Sequence, residues 1–138
     1  MTDTASPFDA ESLWRAMTNG ETMLIDVRTE AEFAAGHPKG AVHVALYEDV
    51  QDRRALRPGF IEQVADVQGA LDPGVILVIS CRTGARSRQA VQVLRASGIA
   101  PVADFPGGWD GRTDSWGRVT ALGWRAAGLP IATAEEPV

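Results

Sequence analysis

The stretch Val75-Ile76-Leu77-Val78-Ile79-Ser80 holds five apolar β-formers and a serine, with no charge among them. A run this short and this apolar fits a strand buried on both faces. Such strands belong to parallel sheets covered by helices. At Cys81 the pattern breaks. It resumes at Ser87 with a helical one, in which Ala90, Val91, Val93 and Leu94 face one side and Gly98 follows Ser97 as a stop. The order is strand, short loop, helix. In parallel α/β sheets, ligands bind at the loops that leave the carboxyl ends of strands. Cys81 opens such a loop.

The same alternation runs along the rest of the chain. Asp9 with Ser12 forms an N-cap for a helix whose stripe is Leu13, Trp14 and Met17, up to Asn19-Gly20. Met23 to Val27 reads as a buried strand. Thr29 and Glu32 have capping-box spacing for a short helix that Gly36 ends. Ala41 to Leu46 reads as a strand, and the charged segment Tyr47 to Arg57 as loop or irregular helix. Phe60 to Ala70 is helical, with Ile61, Val64, Val67 and Leu71 at helical spacing. Asp72-Pro73-Gly74 then turns the chain. Val102 to Phe105 is a last short strand. A glycine-rich stretch, Pro106 to Gly117, precedes a closing helix around Arg118 to Ala127. Alternating strands and helices predict an α/β fold.

With 138 residues the chain fits one domain, and an apolar fraction of 45% is enough for a real core. The expected organisation is a disordered N-terminus over 1–6, a folded domain over 7–132 and a polar tail over 133–138. A net charge of −5 speaks against nucleic acid or an anionic membrane as partner. No apolar run approaches the roughly 18 residues of a membrane span. Met1 to Asp9 lacks a signal-peptide core. A single cysteine excludes an internal disulfide and fits a reducing compartment, so the expected location is cytoplasmic.

A lone cysteine is often a buried structural thiol. The surroundings of Cys81 point elsewhere. It is followed by Arg82, Thr83, Gly84, Ala85, Arg86 and Ser87 at a helix N-terminus. Unpaired helix amides, inward-turned loop amides and two arginines each favour thiolate over thiol. Asp26 and Arg28 leave the Met23–Val27 strand toward the same end of the sheet. They read either as support for the Cys81 loop or as structural, with Arg28 pairing Glu32 at helical spacing, the favoured reading. His37 and His43 read as structural. With two histidines and one cysteine, no metal or cofactor is expected.

Three segments carry a resemblance to the rhodanese-like sulfurtransferase domain in its single-domain form. Leu24-Ile25-Asp26-Val27-Arg28 with Glu32-Phe33, Gly36-His37 and Gly40-Ala41 resembles the first signature of that family. Cys81 to Ser87 resembles its active-site loop. Gly107-Gly108, Gly123-Trp124 and Gly128-Leu129-Pro130 resemble its C-terminal signature. The likeness spans about Phe8 to Ile131. Two departures stand out. The proline after His37 lies one place early, and residues 109–122 are inserted before the final tryptophan. The insertion reads as a lid, with Trp109 or Trp116 over the pocket, or as surface decoration.

The resemblance implies a central, mostly parallel five-stranded sheet with helices on both faces. It implies a transferase that moves a sulfane sulfur from thiosulfate or a persulfide to a thiol or cyanide, through a Cys81 persulfide. Its partners would be a small anionic donor and a thiol or protein persulfide acceptor. Two alternatives remain. Cysteine phosphatases and arsenate reductase-like enzymes use a similar loop, but with five residues between Cys and Arg, where this chain has four. Rhodanese-like domains also serve as non-catalytic interaction modules.

Overall fold

The computed structural model describes residues 8–51 and 53–133. The expected disordered segment 1–6 and residues 134–138 of the expected tail lie outside the described residues. In chain order the elements are α1 (Ala10–Thr18), β1 (Thr22–Asp26), α2 (Glu30–Ala35), β2 (His37–Pro38), β3 (Val42–His43), β4 (Tyr47–Val50), β5 (Arg53–Leu56), α3 (Phe60–Gly69), β6 (Ile76–Ser80), α4 (Ala85–Ala96), β7 (Val102–Asp104), β8 (Arg112–Thr113), β9 (Val119–Ala121) and β10 (Ile131–Ala132). Among the described residues, no helix is long and apolar enough to cross a membrane.

The central sheet has the order β3-β1-β6-β7, with every neighbouring pair parallel. It therefore has four strands, where the resemblance implied five. β3 pairs regularly only at Val42–His43, shorter than the expected Ala41–Leu46. The segment still follows β1, because Val44 and Leu46 donate to the carbonyls of Asp26 and Val27. The strands bury alternate residues on opposite faces. Leu24 and Val78 meet Ala10 and Leu13 of α1, with Phe105 and Trp124. Ile25, Leu77 and Ile79 meet Phe60 and Val64 of α3 and Ala90, Val91 and Leu94 of α4. Helices thus cover both faces.

Both predicted caps are present. Ser12 N–H donates to Asp9 Oδ1 at 2.8 Å. Glu32 N–H donates to Thr29 Oγ1 at 3.2 Å, and Glu32 Oε1 accepts from Thr29 N–H at 2.9 Å. Two expectations fail. The Tyr47–Arg57 segment is a β-hairpin, with Asp49 opposite Arg54 and a turn through Gln51 at φ 52°. Its charges alternate across a pleat instead of forming a helical stripe. The closing segment is also not a helix. Val119–Ala121 pairs with Arg112–Thr113, and turns follow through Trp124 to Gly128. Here β-branched Val119 and Thr120 favour strand, and Gly117 takes φ 81° outside any helix.

The sheet order fixes where a site can form. β1 leads outward to β3, whereas β6 leads the other way to β7. The chain therefore diverges between the carboxyl ends of β1 and β6, leaving a crevice there. Asp26 pairs in register with Ser80, so Arg28 and Cys81 leave the sheet side by side.

Candidate active site

Cys81 follows β6 directly, and its loop ends in the first turn of α4. The cysteine is 1% exposed. Its sulfur accepts a hydrogen bond from Gly84 N–H at 3.0 Å and lies 3.5 Å from the Ser87 hydroxyl. Gly84 makes this possible. It is the N-cap of α4 at φ 104°, in the left-handed region that glycine adopts without strain. The turn folds its amide back over the sulfur. Ser87 donates to the Gly84 carbonyl at 3.2 Å, which holds the turn shut. A hydroxyl can accept from a thiol or rotate to donate to an anionic sulfur. The first amides of α4 have no carbonyl partner within the helix. The loop is thus a small cradle for negative charge on one sulfur.

The start of the loop is held by main chain. Trp109 N–H donates to the Cys81 carbonyl at 2.8 Å, and Asp110 N–H to the Arg82 carbonyl at 2.9 Å. Gly108 lies so close that a Cβ there would sit 2.7 Å from both of those carbonyl oxygens. Arg82 reaches outward, and its Nε pairs with Asp110 Oδ2 at 2.9 Å. The end of the loop is held by charge. Arg86 makes two bonds to the Glu32 carboxylate on α2, at 2.8 and 3.2 Å. The Arg86 guanidinium is the main cause that holds the Glu32 carboxyl down to about 2, and Glu32 in turn raises Arg86.

Asp26 and Arg28 form a buried pair, with 1% and 3% of their side chains exposed. Arg28 Nη2 lies 2.8 Å from Asp26 Oδ2 and 2.7 Å from the Gly36 carbonyl. The expected Arg28–Glu32 pair does not form. Asp26 is two residues back and buried with Arg28, while Glu32 faces Arg86. Arg28 also lies 4.9 Å from the centre of the Trp109 ring. Trp109 also supplies the amide that donates to the Cys81 carbonyl. Both histidines are structural. His37 bonds the Phe33 carbonyl and stacks on that ring, and His43 bonds the Arg28 carbonyl.

Thr83 and Ala85 are exposed at the mouth, while Gly84 and Ser87 are buried. The insertion is braced at its base. Gly111 and Gly123 meet backbone to backbone, and Trp124 N–H donates to the Gly108 carbonyl. Trp109 is buried in the core beside Gly36, and Trp116 is 80% exposed. Three further residues border the loop and were not singled out from sequence: Asp104, Asp110 and Arg112. Asp104 ends β7. Burial pushes its carboxyl up, against the nearby Ser87 hydroxyl and the charges of Arg88, Arg112 and Arg95. Its Oδ1 is buried without a hydrogen-bond partner. A lone carboxylate at the end of the strand beside the cysteine strand was a signal for it. Nothing in the local sequence marked the other two.

The rhodanese-like domain family matches residues 9–114. Thiosulfate sulfurtransferase 16, chloroplastic, of Arabidopsis thaliana is 34% identical over 85 residues, covering 62% of this chain and 68% of that protein. Thiosulfate sulfurtransferase GlpE of Haemophilus influenzae (strain PittEE) is 30% identical over 124 residues, 90% of this chain and 91% of that protein. The crystal structure of Rv0390 from M. tuberculosis superposes with a TM-score of 0.70 at 28% identity, over 96% of this chain and all of that one.

Proposed function

The chain belongs to the rhodanese-like domain family, and we propose that it is a sulfurtransferase that carries sulfane sulfur as a persulfide on Cys81. The observation that carries this reading is the 3.0 Å hydrogen bond from Gly84 N–H to Cys81 Sγ, in a loop with four residues between Cys81 and Arg86. Relatives named thiosulfate sulfurtransferase support the same chemistry.

The first half-reaction starts from the Cys81 thiolate. It attacks the outer sulfur of thiosulfate and forms a new S–S bond. The donor's own S–S bond breaks, and its electron pair leaves on sulfite. The terminal sulfur of the persulfide then carries the negative charge. The Gly84 amide is the donor beside it, and the Ser87 hydroxyl joins it by rotating away from the Gly84 carbonyl. In the second half-reaction cyanide or a thiolate attacks that terminal sulfur and releases Cys81 as thiolate. Charge and atoms balance in both steps, and ping-pong kinetics follow. Arg86 is committed to Glu32, so it supports the cradle from behind. A loop one residue shorter than that of the cysteine phosphatases suits one sulfur better than a tetrahedral phosphate.

Mass spectrometry tests the reading. Thiosulfate should add about 32 Da to the protein, and cyanide should remove it. Cys81→Ser should show neither the adduct nor turnover. An unchanged mass after thiosulfate, or undiminished activity in Cys81→Ser, would sink the proposal.

A further inference from the structure

Besides Arg88, which follows the loop on α4, four arginines border the Cys81 loop, and three of them are neutralised. Arg28 is paired with Asp26, Arg82 with Asp110 and Arg86 with Glu32. Arg112 is not. Among the described residues it has no carboxylate within ion-pair distance. It comes from β8, in the insertion, and its side chain lies along the outside of the cradle. A Cβ built on Gly84 would sit 3.2 Å from Arg112 Cδ and 3.4 Å from its Nε. The same guanidinium is close enough to Asp104 to act on that carboxyl. Its position is fixed from below, because the insertion is braced at Gly107, Gly111 and Gly123 by close backbone contacts.

We infer that Arg112 is the cation that receives the anionic end of the sulfur donor, and so selects small oxyanions such as thiosulfate over neutral donors. The inference rests on the reading of Cys81 as the sulfur acceptor. Gly84 donates its amide to the Cys81 sulfur, and the Arg112 side chain packs against that same residue. Arg112 is the guanidinium placed there. Its planar fork matches the two oxygens of a sulfonate-type group. Arg82 is more exposed, but Asp110 already cancels its charge. The insertion would thus supply a specificity residue.

Binding without transfer provides the test. Cys81→Ser exchanges one atom and removes the nucleophile, so thiosulfate can be titrated calorimetrically into it as a simple ligand. Adding Arg112→Gln should weaken thiosulfate about tenfold, the scale of one charge-assisted hydrogen bond. Arg112→Lys should recover part of the loss. Arg82→Ala and Arg88→Ala, on the same background, should each weaken binding less than Arg112→Gln does, since Arg82 is paired with Asp110 and Arg88 follows the loop on α4. Circular dichroism controls for folding. The inference is overturned by no measurable thiosulfate binding to Cys81→Ser, by less than a twofold effect of Arg112→Gln, or by an equal effect of Arg82→Ala or Arg88→Ala. The outcomes are separable. Absence of a persulfide in the wild-type chain, with Arg112-dependent binding intact, would overturn only the proposed reaction.

Discussion

Cys81 and Arg82, at the start of the loop, are tied to the 109–110 backbone by main-chain hydrogen bonds, whereas Arg86, at its end, is tied to α2 by a two-pronged ion pair. The two attachments respond to different changes. Main-chain bonds do not depend on side-chain charge or on pH, but they require the backbones to touch. The ion pair tolerates backbone adjustment but requires both charges. Small substitutions at glycines should therefore disturb one end, and charge changes the other.

The most severe expected break is Gly108→Ala. The new methyl would lie 2.7 Å from the carbonyl oxygens of Cys81 and Arg82, at a position with φ 56°. The backbone must move, and the Trp109 and Asp110 bonds go with it. A loss of about 2–4 kcal/mol in urea denaturation is expected, together with loss of persulfide loading. Less than about 1 kcal/mol with normal loading would show that the main-chain clamp is not what holds the start of the loop.

Glu32→Gln tests the other end. It removes a half-buried ion pair and weakens the Thr29 cap, for an expected loss of about 1–2 kcal/mol at neutral pH. The sign of the pH dependence follows from Glu32 being held down to about 2, from an ordinary value of 4.5. Its stabilisation is complete above 4.5 and is lost as the pH falls through about 2. The stability difference between wild type and Glu32→Gln should be constant from pH 7 to 5 and close below that. A difference that closes above pH 5 would mean that Arg86 is not what holds Glu32 ionised.

Asp104 sharpens the comparison, because it is a carboxylate near the same end of the loop without a salt bridge. Burial raises it, so the folded state favours its protonated form. The cost of ionising it is present above its folded value and relieved as pH falls through that value. Asp104→Asn should therefore stabilise the protein at neutral pH, by about 1 kcal/mol, with the gain shrinking toward acid pH. Thermal melts at pH 7 and 4.5 would read this. Destabilisation at pH 7 would assign Asp104 a contact with Ser87 that outweighs its burial.

These contrasts also explain what the sequence could reveal. The Asp9–Ser12 and Thr29–Glu32 caps, the four sheet strands and the cradle around Cys81 are local, so spacing and composition expose them. The partner of Arg86 lies 54 residues away, and only the adjacency of β1 and β6 brings it near. Helical spacing allows Arg28 to pair with Glu32, yet Asp26 shares its buried pocket. The hairpin at Tyr47–Leu56 and the non-helical segment after Arg118 depend on cross-strand pairing and on the approach of Gly111 to Gly123. Neither leaves a periodic trace.

Asp110→Asn should have the smallest effect on stability and the most specific one on binding. The carboxylate meets Arg82 Nε at 2.9 Å and Arg125 Nη2 at 3.0 Å, and both arginine side chains are more than half exposed. Pairs of this kind contribute less than about 1 kcal/mol. The Asp110 amide, which holds the Arg82 carbonyl, is untouched by the change. The start of the loop should therefore stay in place while two guanidiniums at the mouth lose their counter-charge. The field there becomes more positive, so KM for thiosulfate should fall about two- to threefold at low salt with kcat unchanged, as for uniform binding of an anion. The advantage should fade at high salt, because exposed charges are screened over about 8–10 Å even at physiological ionic strength. A lower kcat, or a KM that rises, would mean that the Asp110 carboxylate positions Arg82 for the reaction. The start of the loop would then depend on side-chain charge as much as its end does.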